Sequence, residues 1–203
     1  MKRNKMIAAI LLLCMILTLA ACGADDTAQV TVATLDETVT YYADIEIQDY
    51  GTITVQLDQS MAPATVANFV SLAESGFYDG LTFHRIIKGF MMQGGDPNGN
   101  GTGGSDTKIV GEFSANGYSN TISHERGVIS MARPKAYDSA SSQFFIMHAD
   151  ADYLDGQYAA FGHVTEGMDV VDAICESAEP TDNNGTIPAD EQPVITSITI
   201  REE

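Results

Sequence analysis

The chain has 203 residues, with 10 Lys and Arg against 28 Asp and Glu and a formal net charge of −18. That length bounds it to one domain with a substantial core or two small ones. The acidic balance opposes binding to nucleic acid and to anionic lipid headgroups, and three scattered cysteines cannot build a disulfide framework.

The first residues read as an export signal. Met1 to Lys5 carries Lys2, Arg3 and Lys5, and Met6 to Leu19 is almost wholly apolar. A charged stretch followed by an apolar one is the pattern of a secretory signal. It is short for a spanning helix, which needs roughly 17 to 25 residues; a retained anchor helix is the plainer alternative. Leu19-Ala20-Ala21-Cys22 then resembles the bacterial lipobox, in which the cysteine is lipidated and begins the mature chain. Residues 1–21 are thus expected to be a lipoprotein signal peptide, with Cys22 tethering the protein outside the cytoplasmic membrane. Cys14 would leave with the signal, so Cys175 would be the one remaining thiol. The mature chain would keep 7 basic residues against 28 acidic ones, a net of −21.

Residues 22–38 are small, polar and acidic after the cysteine and read as a flexible tether. Residues 39–203 read as one domain. Ala43 to Gln48 and Thr52 to Leu57 alternate apolar and polar residues around Asp49-Tyr50-Gly51, the pattern of a hairpin. Pro63 suits a first helical turn, Val66, Phe69, Val70 and Ala73 follow at helical spacing, and Gly76 can end the helix. Further strands are predicted over Leu81 to Ile87, Phe90 to Gln93, Val128 to Met131, Gln143 to Met147, Phe161 to Val164 and Val194 to Ile200, with a second helix over Met168 to Cys175. The Gly-, Asn- and Ser-rich stretch from Gly94 to Gly127 reads as a long functional loop. Many short strands and two helices predict a mainly β domain, a closed barrel with helices over its ends.

Several local motifs fail on context. Gly99 to Gly104 matches the dinucleotide-binding glycine pattern, but no helical sequence follows it. Asp96 to Gly101 matches the start of a calcium loop, yet position twelve, where a glutamate belongs, is Thr107. His84, His124, His148 and His163 do not share metal-ligand spacing, and no nucleophile elbow is present. No metal or cofactor is expected.

Six ordered segments remain: FHRIIKGFMMQGGD at 83–96, GTGG at 101–104, ISMA at 129–132, SSQFFI at 141–146, LDG at 154–156 and FGHVTEGMDVVD at 161–172. In order and spacing they resemble the cyclophilin family of peptidyl-prolyl isomerases over about residues 41–201. The resemblance implies an eight-stranded antiparallel β-barrel capped by two α-helices, acting as a monomer on proline-containing peptides and unfolded exported proteins. It implies Arg85 as the catalytic residue and a proline pocket of Phe90, Met91, Phe145 and Leu154. Gln93 and Gln143 would hold the substrate backbone, with Gly101, Thr102, Ala132 and Arg133 along the groove. Tyr153 stands where many members have tryptophan, Tyr158 where many have a groove histidine, and the stretch from Met131 to Gln143 is one residue longer than in the eukaryotic type.

Such chemistry suits these residues. Rotation about an X-Pro bond breaks no covalent bond and moves no proton, so neither nucleophile nor metal is required. Its barrier is roughly 18–20 kcal/mol, and a fixed donor to the proline nitrogen acts only once that nitrogen regains its lone pair in the twisted state. Arginine is always charged and only donates. From periodicity alone, Phe90, Met91 and Phe145 read better as core and Arg85 equally well as an ion-pair arginine, while His84 reads as structural. Two other functions compete: a proline-peptide-binding module with little turnover, and a substrate-capture lipoprotein, which would need α/β alternation.

Overall fold

The computed structural model describes residues 35–203. The expected signal peptide, Cys22 and the tether to residue 34 lie outside the described residues. Leu35 packs against the core, and the carbonyls of Asp36 and Val39 accept from Gln59 Nε2 at 2.9 and 3.0 Å. The last residues of the expected tether therefore contact the domain. Among the described residues no helix is long and apolar enough to cross a membrane.

Strands β1 (Tyr41–Ile47) and β2 (Gly51–Leu57) form the predicted hairpin. In β1 every second side chain, Tyr41, Ala43, Ile45 and Ile47, is buried, which is the period-2 signal the sequence carries. Helix α1 (Pro63–Glu74) starts on its proline, which has no N–H to leave unpaired. Its first turn is capped from a distance. Glu112, itself 2 % exposed, accepts from Ala64 N at 3.0 Å, Thr65 N at 2.8 Å and Thr65 Oγ1 at 2.7 Å.

Strands β3 (Thr82–Ile87), β4 (Met91–Asp96), β5 (Val128–Met131), β6 (Phe144–Met147) and β7 (Ala160–Glu166) follow, then helix α2 (Met168–Ser177) and strand β8 (Ile195–Glu202). All eight strands join one antiparallel sheet in the order β3-β4-β6-β5-β7-β2-β1-β8. It curls around Phe69, Tyr78, Phe83, Phe144 and Phe161, whose neighbouring ring centroids lie 5.2–5.9 Å apart.

The expected closed barrel needs one correction: the sheet does not close fully. Its edge strands β3 and β8 meet only around the bridge Thr82↔Val194, flanked by Phe83 N donating to Pro193 O and Ile195 N donating to Leu81 O. Pro193 has no N–H to continue a ladder. The loop before it covers the rest of the β3 edge instead, with Ile86 N donating to Gly185 O and Ile187 N to His84 O. An open edge is thereby paired without a ninth strand.

Candidate active site

The apolar residues form two separate clusters. The larger fills the barrel. The smaller, Met91, Val128, Phe145, Met147, Ala151 and Ala160, lies on the outer face of the sheet, with Phe90, Ala132, Leu154 and Tyr158 packed against it. Met91 and Phe145 are 1 % and 5 % exposed, so burial alone would class them as core. Their place outside the barrel gives them a second role as the floor of a cavity.

A bulge aims the polar residues at this face. The β3–β4 register shifts between Phe83 and Arg85, leaving His84 as the extra residue. Phe83 and Ile86 stay in the core, while His84 and Arg85 both line the outer cavity. Arg85 then stands directly opposite Gln93, Gln93 opposite Phe145, and Phe145 opposite Ser130. Cross-strand partners sit ~4.5–5.5 Å apart, so the strand ladder itself fixes the distance from guanidinium to pocket wall.

The cavity measures about 690 Å³ and takes in Arg85, Phe90, Met91, Gln93, Phe145 and Leu154. Gly101, Ala132, Arg133 and Tyr158 complete its predicted members. Thr102 and Gln143 line an adjoining cavity of about 470 Å³ that shares Gln93, Gly101, Ala132 and Arg133 as its divide. Twelve of the thirteen predicted domain residues are thus brought together. Tyr153 is not: it is 68 % exposed and stacks on Phe90 at 6.1 Å, lining neither cavity. It backs the pocket wall.

Arg85 is held by two of its three nitrogens. Nε donates to Asn184 O at 2.7 Å, and Nη1 to Gln93 Oε1 at 3.2 Å and Met91 Sδ at 3.7 Å. Among the described residues Nη2 has no hydrogen-bond partner. Gln93 Nε2 donates to Gln143 Oε1 at 2.9 Å, and Gln143 Nε2 to Gly103 O at 2.8 Å. This relay orients the guanidinium from one side while the 184 carbonyl holds it from the other. Burial pulls the Arg85 pKa down from its usual value, opposed by Tyr158, Asp182 and Tyr153, and an arginine stays charged regardless.

Arg133 lines both cavities, as the resemblance implies, while its guanidinium is held within the protein. Its Nε and Nη2 donate to Gln157 O at 3.1 and 2.6 Å, and its Nη1 to Pro134 O and Lys135 O. The guanidinium carbon lies 4.9, 5.0 and 4.8 Å from the ring centroids of Phe113, Tyr137 and Tyr158. The group is engaged within the protein and braces Tyr158.

The floor has its own support. His124, 1 % exposed, lies 6.0 Å from the Phe145 ring at an interplanar angle of 18°, with Nδ1 2.9 Å from Asp155 Oδ1 and Nε2 3.0 Å from Ser130 Oγ. Burial lowers the His124 pKa against the opposing pull of Asp155. Behind Phe90, His148 Nδ1 accepts from Gly89 N at 2.8 Å and its backbone N–H donates to Phe90 O.

The Asp96 carboxylate accepts the backbone N–H groups of Asn98, Asn100 and Gly101, which organise the loop beside the cavity. Among the described residues no group of three or more His, Cys, Asp or Glu could hold a metal ion. The sequence missed the far rim, Asn184, Thr186, Ile187, Pro188, Ala189 and Gln192. An Asn-Gly turn at 184–185 was its one visible signal, and Arg85 meets that turn through a backbone carbonyl, which no residue type announces.

Residues 42–201 match the family model described as cyclophilin type peptidyl-prolyl cis-trans isomerase/CLD. The chain is similar to peptidyl-prolyl cis-trans isomerase B of Bacillus subtilis, 46 % identical over 123 residues, covering 61 % of this chain and 82 % of that protein. It is also similar to peptidyl-prolyl cis-trans isomerase-like 1 of Neurospora crassa, 42 % identical over 154 residues, covering 75 % and 91 %. Among solved structures, a Cryptosporidium parvum cyclophilin type peptidyl-prolyl cis-trans isomerase crystallised in the presence of the dipeptide Ala-Pro matches with a TM-score of 0.69 at 30 % identity. That match covers 80 % of this chain and 99 % of the other.

Proposed function

The chain belongs to the cyclophilin-type peptidyl-prolyl cis-trans isomerase family, and from that premise we propose that Arg85 catalyses rotation about X-Pro bonds held against the outer face of its barrel. The observation that carries this reading is Arg85 Nη2, unpartnered among the described residues, on a guanidinium otherwise fixed by Asn184 O and Gln93 Oε1 beside an apolar floor.

The proline ring enters between Phe90, Met91, Phe145 and Leu154, which hold it by burial and exclude water from the amide. As the X-Pro bond twists, its nitrogen changes from a planar amide nitrogen into a pyramidal acceptor, and Arg85 Nη2 donates to it. The planar ground state offers no such lone pair, so the bond acts on the transition state selectively. A hydrogen bond from a charged donor contributes ~1.5–3 kcal/mol, about ten- to a hundredfold in rate. The remainder comes from the pocket gripping the ring while the preceding carbonyl swings free. Gln93 and Gln143 hold the backbone on one side of the proline.

The test is cis–trans exchange of an Ala-Pro peptide with the protein and its Arg85→Ala variant. The wild type accelerates exchange and the variant loses most of that acceleration; equal rates for the two overturn the assignment of Arg85.

The lipobox-like Leu19 to Cys22 supports a further reading: a lipid-anchored monomer that assists the folding of exported proteins at the outer face of the cytoplasmic membrane. Cys22→Ala then releases the protein from the membrane fraction, and a variant that stays processed and bound refutes the anchor.

A further inference from the structure

His84 is buried beside the catalytic arginine, 4 % exposed, and among the described residues neither of its ring nitrogens has a hydrogen-bond partner. Buried polar groups are nearly always paired, so each exception calls for a reason. The bulge that delivers Arg85 to the groove delivers His84 to the same face, where it lines the main cavity.

The part of the cavity around His84 is distinct from the proline floor. It is bounded by Gly99, Asn100 and Gly101 on one loop and by Thr186, Ile187 and Gln192 on the other. Its base is built rather than loose. Gln192 Nε2 donates to Gly99 O and Ile187 O, tying the two loops together, and its Oε1 accepts from Thr82 Oγ1. Gly101, the residue against the imidazole, carries no side chain: a Cβ there would lie 3.6 Å from His84 Nε2. Across the ladder Arg85 pairs with Thr186 on the lobe's far wall and with Gln93 on the other side, so a peptide crossing Arg85 with its proline on the floor extends toward both.

We propose that this lobe is a subsite for the residue flanking the substrate proline on the side away from Gln143, and that it selects a neutral hydrogen-bonding side chain, a hydroxyl or a carboxamide. The proposal rests on the isomerase reading. Charge decides the class. Asp96 and Arg85 both act electrostatically on His84 from opposite signs, so an anionic side chain meets the buried carboxylate and a cationic one meets the guanidinium. Burial keeps the imidazole in its neutral form. A neutral ring nitrogen is either donor or acceptor, according to tautomer. Hydroxyls and carboxamides can answer both, whereas apolar side chains leave the nitrogen unpaired.

The experiment measures kcat/KM on the full chain with peptides carrying Ala-Pro-Ala as reference. Asn/Leu and Thr/Val pairs of similar shape are placed first before and then after the proline. At one flank the polar member is favoured about three- to tenfold, the worth of one net hydrogen bond, and His84→Leu brings that ratio toward one. In the wild type, the His84 ring nitrogen resonances shift on adding the Asn peptide and not the Leu peptide, a readout independent of how the variant folds. No preference at either flank, an unchanged ratio in His84→Leu, or unmoved ring resonances overturns the subsite. If the reference peptide is accelerated without any such preference, the subsite alone fails. If it is not accelerated at all, the isomerase reading fails and the subsite with it.

Discussion

Arg133→Ala separates two roles for a residue at the divide between the cavities. A substrate contact would be lost with little effect on folding. The geometry instead makes Arg133 a brace, its guanidinium carbon 4.8–5.0 Å from three ring centroids and its N–H groups on the carbonyls of Gln157, Pro134 and Lys135. A cation–π contact at a partly exposed site contributes ~0.5–1 kcal/mol. Three rings share one cation, and the exposed carbonyls can turn to water when it leaves, so the loss is about 2 kcal/mol rather than the sum. For a domain of this size, 1 kcal/mol moves Tm by roughly 2–4 °C, giving a fall of about 4–8 °C. Arg133→Lys recovers little, because an ammonium cannot lie flat among three rings and reach three carbonyls. Differential scanning calorimetry reads the stability, and kcat and KM are measured on the folded variant well below its Tm. An unchanged Tm together with a KM raised several-fold would refute the brace and return Arg133 to the substrate.

Three further outcomes follow from other contacts. Glu112→Ala leaves the N–H groups of Ala64 and Thr65 and the Thr65 hydroxyl without their shared acceptor; thermal unfolding should show a loss of about 2–3 kcal/mol, with kcat of the folded protein unchanged. Tyr153→Ala removes only an exposed ring stacked on Phe90. KM should rise about two- to fivefold for the loss of one aromatic contact at constant Tm, and a large fall in kcat would contradict its place behind the pocket wall. His84 and His124 are both held below the ordinary histidine pKa by burial, with Arg85 adding to the effect on His84 while Asp96 and Asp155 oppose it. The unfolded chain therefore binds protons near pH 6.5 that the folded chain refuses. Stability is complete above that pH and falls beneath it, by at most about 1.4 kcal/mol per pH unit for each histidine; urea unfolding that is flat between pH 7.5 and 5 would refute this.

What the sequence made legible was whatever has a period or a fixed residue type. Alternation found the β1–β2 hairpin to within two residues at each end, and Pro63 marked the first residue of α1. The sequence pattern ends strand β4 at Gln93, where the glycine-rich stretch from Gly94 begins, but the strand runs to Asp96. Both glycines in fact sit inside the sheet. A Cβ on Gly94 would come within 2.8 Å of Thr82 O, and one on Gly95, at φ +78°, within 2.6 Å of Ser142 O. The residues are small because neighbouring strands approach closely, a requirement set by partners about 12 and 47 positions away. The incomplete closure was hidden for a related reason: it depends on which loop reaches the β3 edge, and hydrogen bonds through the carbonyls of Gly185 and Pro193 leave no mark on residue type. The roles given to Arg133 and Tyr153 came from position within a motif. Position could not say that one guanidinium is fully engaged or that one ring faces outward.

The arrangement also explains how a residue set without a nucleophile can work on a barrier of roughly 18–20 kcal/mol. Flexible donors would lose their advantage in reorganising during the twist. Here Arg85, Gln93 and Phe145 are successive partners across β3, β4 and β6, so donor, relay and pocket wall share one ladder. The interior of the barrel stabilises that ladder without entering the site, because the two apolar clusters are separate. The bulge at His84 is the device that joins them. The extra residue interrupts the alternation locally: Phe83 and Ile86 face the core while His84 and Arg85 both face the cavity, and Phe83, Arg85 and Ile86 pair with Gly94, Gln93 and Met92 in unbroken register around it. Deleting His84 should therefore leave Arg85 opposite Gln93 on the outer face and remove only the imidazole and the local kink. The deletion protein, like His84→Leu, should keep the barrel's circular dichroism spectrum and accelerate exchange through Arg85. A deletion protein that folds but no longer accelerates exchange would show that the bulge itself, and not the alternation alone, sets where the guanidinium points.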